Sequence, residues 1–194
     1  MKPRIVVPIL IVVVILFAVV RLYNPKPDQP PVQAQVPVRV VEKVWQEYTS
    51  PSSRFSTSFP ELPQRVVGVR PTSTAKEEIR YESFLSMAKS GSILMINVID
   101  YPPSVDVTDS KGVLKAAAEE ILGSNPTNQM LKSEAGVSLG YPSMDFTIAN
   151  KDATVQGRDI LKGHTLFVLT VADHDPHVAS TLFNKMADSF RITE

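Results

Sequence analysis

Thr165-Leu166-Phe167-Val168-Leu169-Thr170-Val171-Ala172 is apolar at both alternating sets of positions and rich in β-branched and aromatic residues. A strand that is apolar on both faces must be covered on both faces, so this stretch reads as a central strand. Behind it, Pro176 to about Asp188 has helical spacing, with Val178, Leu182, Met186 and Ala179, Phe183, Phe190 forming one stripe. Asp175 suits the N-cap and Pro176 the first helical position. Ser189-Phe190-Arg191-Ile192 closes the chain, which makes its last third a strand, helix, strand unit.

Working back from there, strands are expected at Met130–Leu139, Ser143–Ala149 and Thr154–Leu161. The turns Gly140-Tyr141-Pro142, Asn150-Lys151-Asp152 and Lys162-Gly163 separate them. Asp109 to Leu122 is a helix by its stripe of Val113, Ala117, Ile121 and Leu114, Ala118, Leu122. Thr108 or Asp109 can cap its start, and Gly123 can supply a left-handed residue at its end. Glu77–Ala88 and Ser92–Tyr101 form a hairpin around Ser90-Gly91. The first of these strands alternates, with Ile79, Tyr81, Leu85 and Met87 on one face; the second, Ile93 to Ile99, is apolar nearly throughout. Earlier strands are expected near Lys43–Thr49, Phe55–Phe59 and Arg65–Val69. Two helices separated by antiparallel strands, two of them buried on both faces, define an α+β domain: one twisted antiparallel sheet flanked by helices. No internal repeat is visible.

The domain occupies 38–194, and a different composition precedes it. Ile5 to Val20 is sixteen residues without a charge, and continuing through Tyr23 gives nineteen, about 28 Å of helix. Arg21 can snorkel to the headgroups, Tyr23 suits the interface, and Pro8 lies close to the first turn. Residues 1–23 therefore read as an N-terminal transmembrane anchor, with the membrane contacted through Ile5–Tyr23. The alternative is a cleaved signal peptide; Val32-Gln33-Ala34 has the small-x-small pattern but lies twelve residues beyond Val20, behind several prolines. Lys2 and Arg4 favour the N-terminus inside and the domain outside the cytoplasmic membrane. Residues 24–37 hold five prolines and no glycine, an extended linker reaching about 40 Å. A PxxP ligand is the sharper reading of that stretch, and a spacer the plainer one.

Lys+Arg and Asp+Glu both number 20, but Lys2, Arg4 and Arg21 stand in the acid-free first 23 residues. The remainder has 17 basic against 20 acidic residues, net −3, and no long basic run. No nucleic-acid partner is expected. The absence of cysteine excludes disulfides, thiolate metal sites, a cysteine nucleophile and a lipobox cysteine. There is no Gly-x-Ser-x-Gly elbow, phosphate loop or dinucleotide fingerprint.

The densest cluster of reactive side chains is Asp173-His174-Asp175-Pro176-His177, at the exit of the central strand. His174, His177 and one aspartate could hold a divalent metal, but the spacing matches no zinc pattern, and capping by Asp175 already explains the Asp-Pro pair. No catalytic, cofactor or metal residue is assigned. Trp45, Tyr48 and Phe55 read as core aromatics rather than a groove. Tyr101-Pro102-Pro103 reads as an exposed contact loop.

Together, Trp45-x-x-Tyr48, Phe55-Ser56-Thr57-Ser58-Phe59-Pro60-x-x-Pro63, the glycine-proline turn before Met144-Asp145-Phe146, Gly157-Arg158 ahead of Leu166-Phe167-Val168-Leu169, and Phe183-x-x-Met186-x-x-Ser189-Phe190 make a pattern. It resembles bacterial membrane-anchored or exported domains of the PsbP/Mog1-like superfamily, over about residues 43 to 192. The resemblance implies an antiparallel sheet flanked by helices, and a binding or assembly role rather than catalysis. The expectation is thus a membrane-tethered, non-catalytic module with an envelope protein as partner. The alternative is a metal-dependent or hydrolytic enzyme centred on Asp173–His177.

Overall fold

A computed structural model describes residues 44–50, 52, 55–71 and 77–193. The expected anchor (1–23) and linker (24–37) lie outside the described residues. Among the described residues, no helix is long and apolar enough to cross a membrane.

The described residues form ten strands and two helices: β1 Gln46–Ser50, β2 Phe55–Phe59, β3 Gln64–Pro71, β4 Glu78–Met87, β5 Ile93–Asp100, α1 Ser110–Gly123, β6 Gln129–Ser138, β7 Tyr141–Ala149, β8 Thr154–Lys162, β9 Thr165–Asp173, α2 Pro176–Ser189 and β10 Arg191–Ile192. Seven strands make one antiparallel sheet in the order β3-β4-β5-β9-β8-β7-β6. β9 is the fourth of the seven, and Leu166 to Ala172 are all buried, as its two apolar faces require. The sheet consists of two meanders, β3-β4-β5 and β6-β7-β8-β9, joined along the β5–β9 pairing from Ile93↔Ala172 to Asp100↔Thr165.

The expectation of one sheet needs correction. β1, β2 and β10 form a separate three-stranded sheet in the order β1-β2-β10. The reason lies at Pro60-Glu61-Leu62-Pro63, where two prolines interrupt the chain after β2 and turn it over. Ser86 Oγ fixes this corner, donating to the Glu61 carbonyl at 2.7 Å and accepting from the Glu61 N–H at 3.4 Å. The small sheet then packs on the face of the large one instead of extending its edge.

Each face of the large sheet has its own core. On one, Ile79, Met95, Ile99, Phe146 and Val168 meet Leu114, Ala117, Ala118 and Ile121 of α1. On the other, Phe84, Ile96, Phe167 and Leu169 meet Phe183 and Met186 of α2 and Phe55 and Phe59 of β2. Both predicted helical stripes are the buried ones, although Val113, Leu122, Val178 and Leu182 at their margins are half-buried. Phe190 joins the layers on the α2 side, stacked on Phe55 at 5.6 Å between centroids and edge-on to Phe167 at 5.7 Å. Beside it, Ser189 Oγ accepts from the Ser58 N–H at 2.9 Å and lies 3.0 Å from Thr57 Oγ1, tying the end of α2 to β2.

Both N-caps are as the sequence indicates: Asp109 Oδ1 accepts from the Gly112 N–H at 3.0 Å, and Asp175 Oδ1 from the His177 N–H at 2.8 Å. The end of α1 differs. Gly123 is the last helical residue and not a left-handed cap; Ser124 follows in a right-handed conformation. The terminal carbonyls have other donors: Ser124 Oγ reaches the Ile121 oxygen at 2.7 Å, and Asn128 Nδ2 reaches the Ile121 and Leu122 oxygens, each at 3.2 Å. The β6–β7 turn is also one step earlier than expected, with Leu139 (φ 53°) and Gly140 (φ 83°) as its two central residues and Tyr141 already in β7. Met87 closes its strand exposed rather than buried.

Gly157 on β8 is required by packing. A Cβ there would lie 2.2 Å from the Phe146 ring, which is buried in the α1-side core. Gly157→Ala must displace that ring, and we expect a loss of about 1–3 kcal/mol. Denaturant unfolding is the check; an unchanged midpoint would show that Phe146 has room to move.

Candidate functional site

The Asp173–His177 loop was the first candidate. Asp173 accepts a hydrogen bond from the Ser92 hydroxyl and another from the Asp175 N–H at 2.7 Å, and Asp175 caps α2. Both carboxylates are thus used to close the turn between β9 and α2. The side chains of His174 and His177 are exposed. Among the described residues, no three or more histidine, aspartate or glutamate side chains are grouped to hold a metal ion.

A second group of ionisable side chains was not singled out from sequence. Arg70 of β3 reaches Glu120 of α1 with a 3.8 Å separation of Nη1 and Oε1, and both side chains are largely buried. Burial pushes the Glu120 carboxyl up to about 8, with Arg70 pulling the other way. Burial likewise lowers the Arg70 guanidinium and raises the Tyr101 phenol, each opposed by the charge of its neighbour in the group.

Tyr101 itself corrects the expectation of an exposed loop. Its N–H donates to the His164 carbonyl at 2.9 Å, extending the β5–β9 pairing by one residue and turning the ring into the α1-side core. Pro103 alone of the Tyr101-Pro102-Pro103 trio is exposed; Pro102 is half-buried.

Asp159 on β8 is wholly buried, and its carboxyl is raised well above the ordinary aspartate value, first by burial and then by the charge of Asp145. The cause is strand parity. Asp159 shares its face with Val155 and Leu161, both in the α1-side core. Along the register, Ser83 is opposite Asn97, Asn97 opposite Val168, and Val168 opposite Asp159. Ser83 Oγ, Asn97 Oδ1, Thr170 Oγ1 and both Asp159 oxygens have no hydrogen-bond partner among the described residues. A polar seam thus runs under α1. Its signal in the sequence was an aspartate at an inward position of an otherwise apolar face.

On the α2 face, Asp145 and Arg158 form a two-pronged pair at 2.6 and 2.8 Å, and the hydrogen bond to Asp145 raises the Arg158 guanidinium. The guanidinium also lies over the Phe183 ring at 5.9 Å, so this pair supports α2. Phe55 is fully buried, and Trp45 and Tyr48 are half-buried against the same core, in line with the core reading of these aromatics. Lys185 Nζ sits 4.8 Å over the Trp45 ring.

Among the described residues, large apolar side chains are exposed on the sheet's two outer strands. On β3, Val66, Val67 and Val69 are each more than half exposed, as is Leu62 in the corner before it. On β6, nearly every side chain is exposed. An uncovered edge strand presents a row of backbone donors and acceptors on which another strand can pair.

This arrangement, an antiparallel sheet with one helix on each face and a small second sheet beside α2, is a PsbP-like α+β fold. The structure is similar to the solution structure of cyanobacterial PsbP (CyanoP) from Synechocystis sp. PCC 6803, with a TM-score of 0.50 and 14% identity over 84% of this chain and 99% of that chain. It is also similar, at a TM-score of 0.33 and 12% identity over 71% of this chain and 90% of that one, to a Pseudomonas aeruginosa protein of unknown function. No family model matches the sequence, and no curated protein matches it. The likeness to CyanoP is one of fold, and at that level it bears out the resemblance read from the Trp45 to Phe190 pieces.

Proposed function

We propose that this chain is a non-catalytic binding or assembly module, held outside the cytoplasmic membrane by an N-terminal helix at Ile5–Tyr23 and spaced from it by residues 24–37. The observation that carries the reading is the pair of edge strands, β3 and β6, which among the described residues pair on one side only and expose apolar side chains. β3 is an edge strand with half-exposed valines among the described residues, whereas the carboxylates of Asp173 and Asp175 are committed to a turn and a helix cap. The PsbP-like fold supports the same role, and an envelope protein is the partner that such a location supplies.

The test is crosslinking in native membranes of the full chain carrying a C-terminal tag, with residues 1–37 alone as control and Val67→Lys as a surface variant. A recurring protein captured by the full chain, absent from the control and diminished by Val67→Lys, is the expected result. Capture that is equal in the control would sink it. For the enzymatic alternative, His174→Ala/His177→Ala should leave capture and thermal stability unchanged; a hydrolytic or metal-dependent activity abolished by that variant would replace the binding reading.

A further inference from the structure

We infer that β6 is a self-association edge, on which a second copy of this chain pairs antiparallel about a two-fold axis level with Ser133. Directly opposed residues on antiparallel strands share a face of the sheet. The axis relating two antiparallel edges stands perpendicular to the sheet and level with one residue, whose own copy it places opposite.

β6 carries two charges, Lys132 and Glu134, on one face and joined by an ion pair of 2.9 Å. With the axis at Lys132, lysine would face lysine; with the axis at Glu134, glutamate would face glutamate. Only the position between them, at Ser133, sets each Lys132 opposite the other copy's Glu134. The four charges then alternate in sign around the axis. In the same register Leu131, at the bulge, comes beside Ala135 of the second copy, apolar against apolar.

Two further observations favour this edge. Glu134 lies directly across from Asp145 within the sheet, two like charges whose opposition a second lysine would offset. Leu131 is 63% exposed beside the axis, so pairing would remove apolar surface from water there. A bulge at Leu131 shifts the register with β7 between Met130 and Lys132; from Lys132 to Ser138 the pairing with β7 is unbroken, which includes the residues around the axis. β3 does not match this pattern. It holds Arg65 and Arg70 and no acid, so no register of two β3 strands opposes unlike charges.

The absence of native cysteine makes the test direct. Opposed Cα atoms of an antiparallel pair are about 4.5–5.5 Å apart, within disulfide range. Ser133→Cys in the full chain is expected to give a disulfide-linked dimer on mild oxidation. Ser138→Cys on the same strand is expected to give none, because the register places its two copies roughly 33 Å apart.

Adding Lys132→Glu to Ser133→Cys should suppress the crosslink by setting acid against acid. Adding Glu134→Lys as well should restore it, since the reversed charges again alternate. The inference is overturned if Ser133→Cys stays monomeric while the protein is folded by circular dichroism. It is equally overturned if Ser138→Cys crosslinks as readily, or if the single and double charge variants crosslink alike.

Discussion

Phe190→Ala is expected to lower the stability of the domain by about 3–5 kcal/mol, within the range for emptying a buried aromatic site. The ring is 1% exposed and touches three layers: it stacks on Phe55 of the small sheet, meets Phe167 of the central strand edge-on, and closes the end of α2. No neighbour can collapse into the space without leaving its own strand. Since domains of this kind are stable by about 5–15 kcal/mol, a large share of the total would be lost. A fall in melting temperature of about 10–15 °C would follow. Because β10 begins at Arg191, pairing with Ser56, the small sheet should loosen before the large one. Hydrogen exchange would then rise in β1 and β2 at temperatures where β5 and β9 stay protected. A melting temperature within about 3 °C of the parent, corresponding to about 1 kcal/mol, would refute this account of the ring as the joint between layers.

The second large effect is expected at Asp159. A carboxyl whose folded value is raised binds its proton more tightly in the native state than in the unfolded chain. Its stabilising effect is therefore complete below the ordinary aspartate value of about 3.8 and is lost as pH rises toward the folded value. Glu120 has the same sign, between its ordinary 4.5 and about 8. The domain should accordingly be more stable near pH 5 than near pH 8. Within its window each such group removes up to about 1.4 kcal/mol per pH unit.

Asp159→Asn keeps the shape and removes the ionisation. We expect it to raise stability at pH 8 by about 1–3 kcal/mol and to flatten the fall between pH 5 and 8. Urea unfolding at the two pH values measures both. An unaltered slope in the variant would mean that the carboxyl has partners that hold its charge.

The features legible in the sequence were those fixed by local pattern. Leu166–Ala172 declares its two buried faces without reference to the rest of the chain, and Asp109 and Asp175 cap helices whose stripes begin immediately after them. Other features depended on distant residues. Whether Phe55–Phe59 extends the sheet or folds over it is decided by the Pro60–Pro63 corner and by Ser86, twenty-five residues from Glu61. Gly123 satisfied the composition of a left-handed cap, but Asn128 supplied the donors first. Tyr101 stood beside two prolines and read as surface, although one more residue of pairing with His164 carries it inside. In the candidate loop, the capping role of Asp175 was legible because it is local. The Arg70–Glu120 contact was not, because it joins β3 to a helix fifty residues later. Asp159 could have been found by counting alternate residues from Val155 to Leu161.

The junction between β5 and β9 also governs how the chain reaches this structure. Within each meander, neighbouring strands are joined by short connections and can zip rapidly as hairpins. The seam is different: Asp100 pairs with Thr165, so its formation must close a loop that contains α1 and the whole of β6, β7 and β8. The entropy of that closure must be met before the contacts across it form, which makes the seam the kinetic bottleneck. Substitutions at Ile96 or Leu169, which face each other across it, should slow folding, whereas those at the outer hairpins should mainly hasten unfolding.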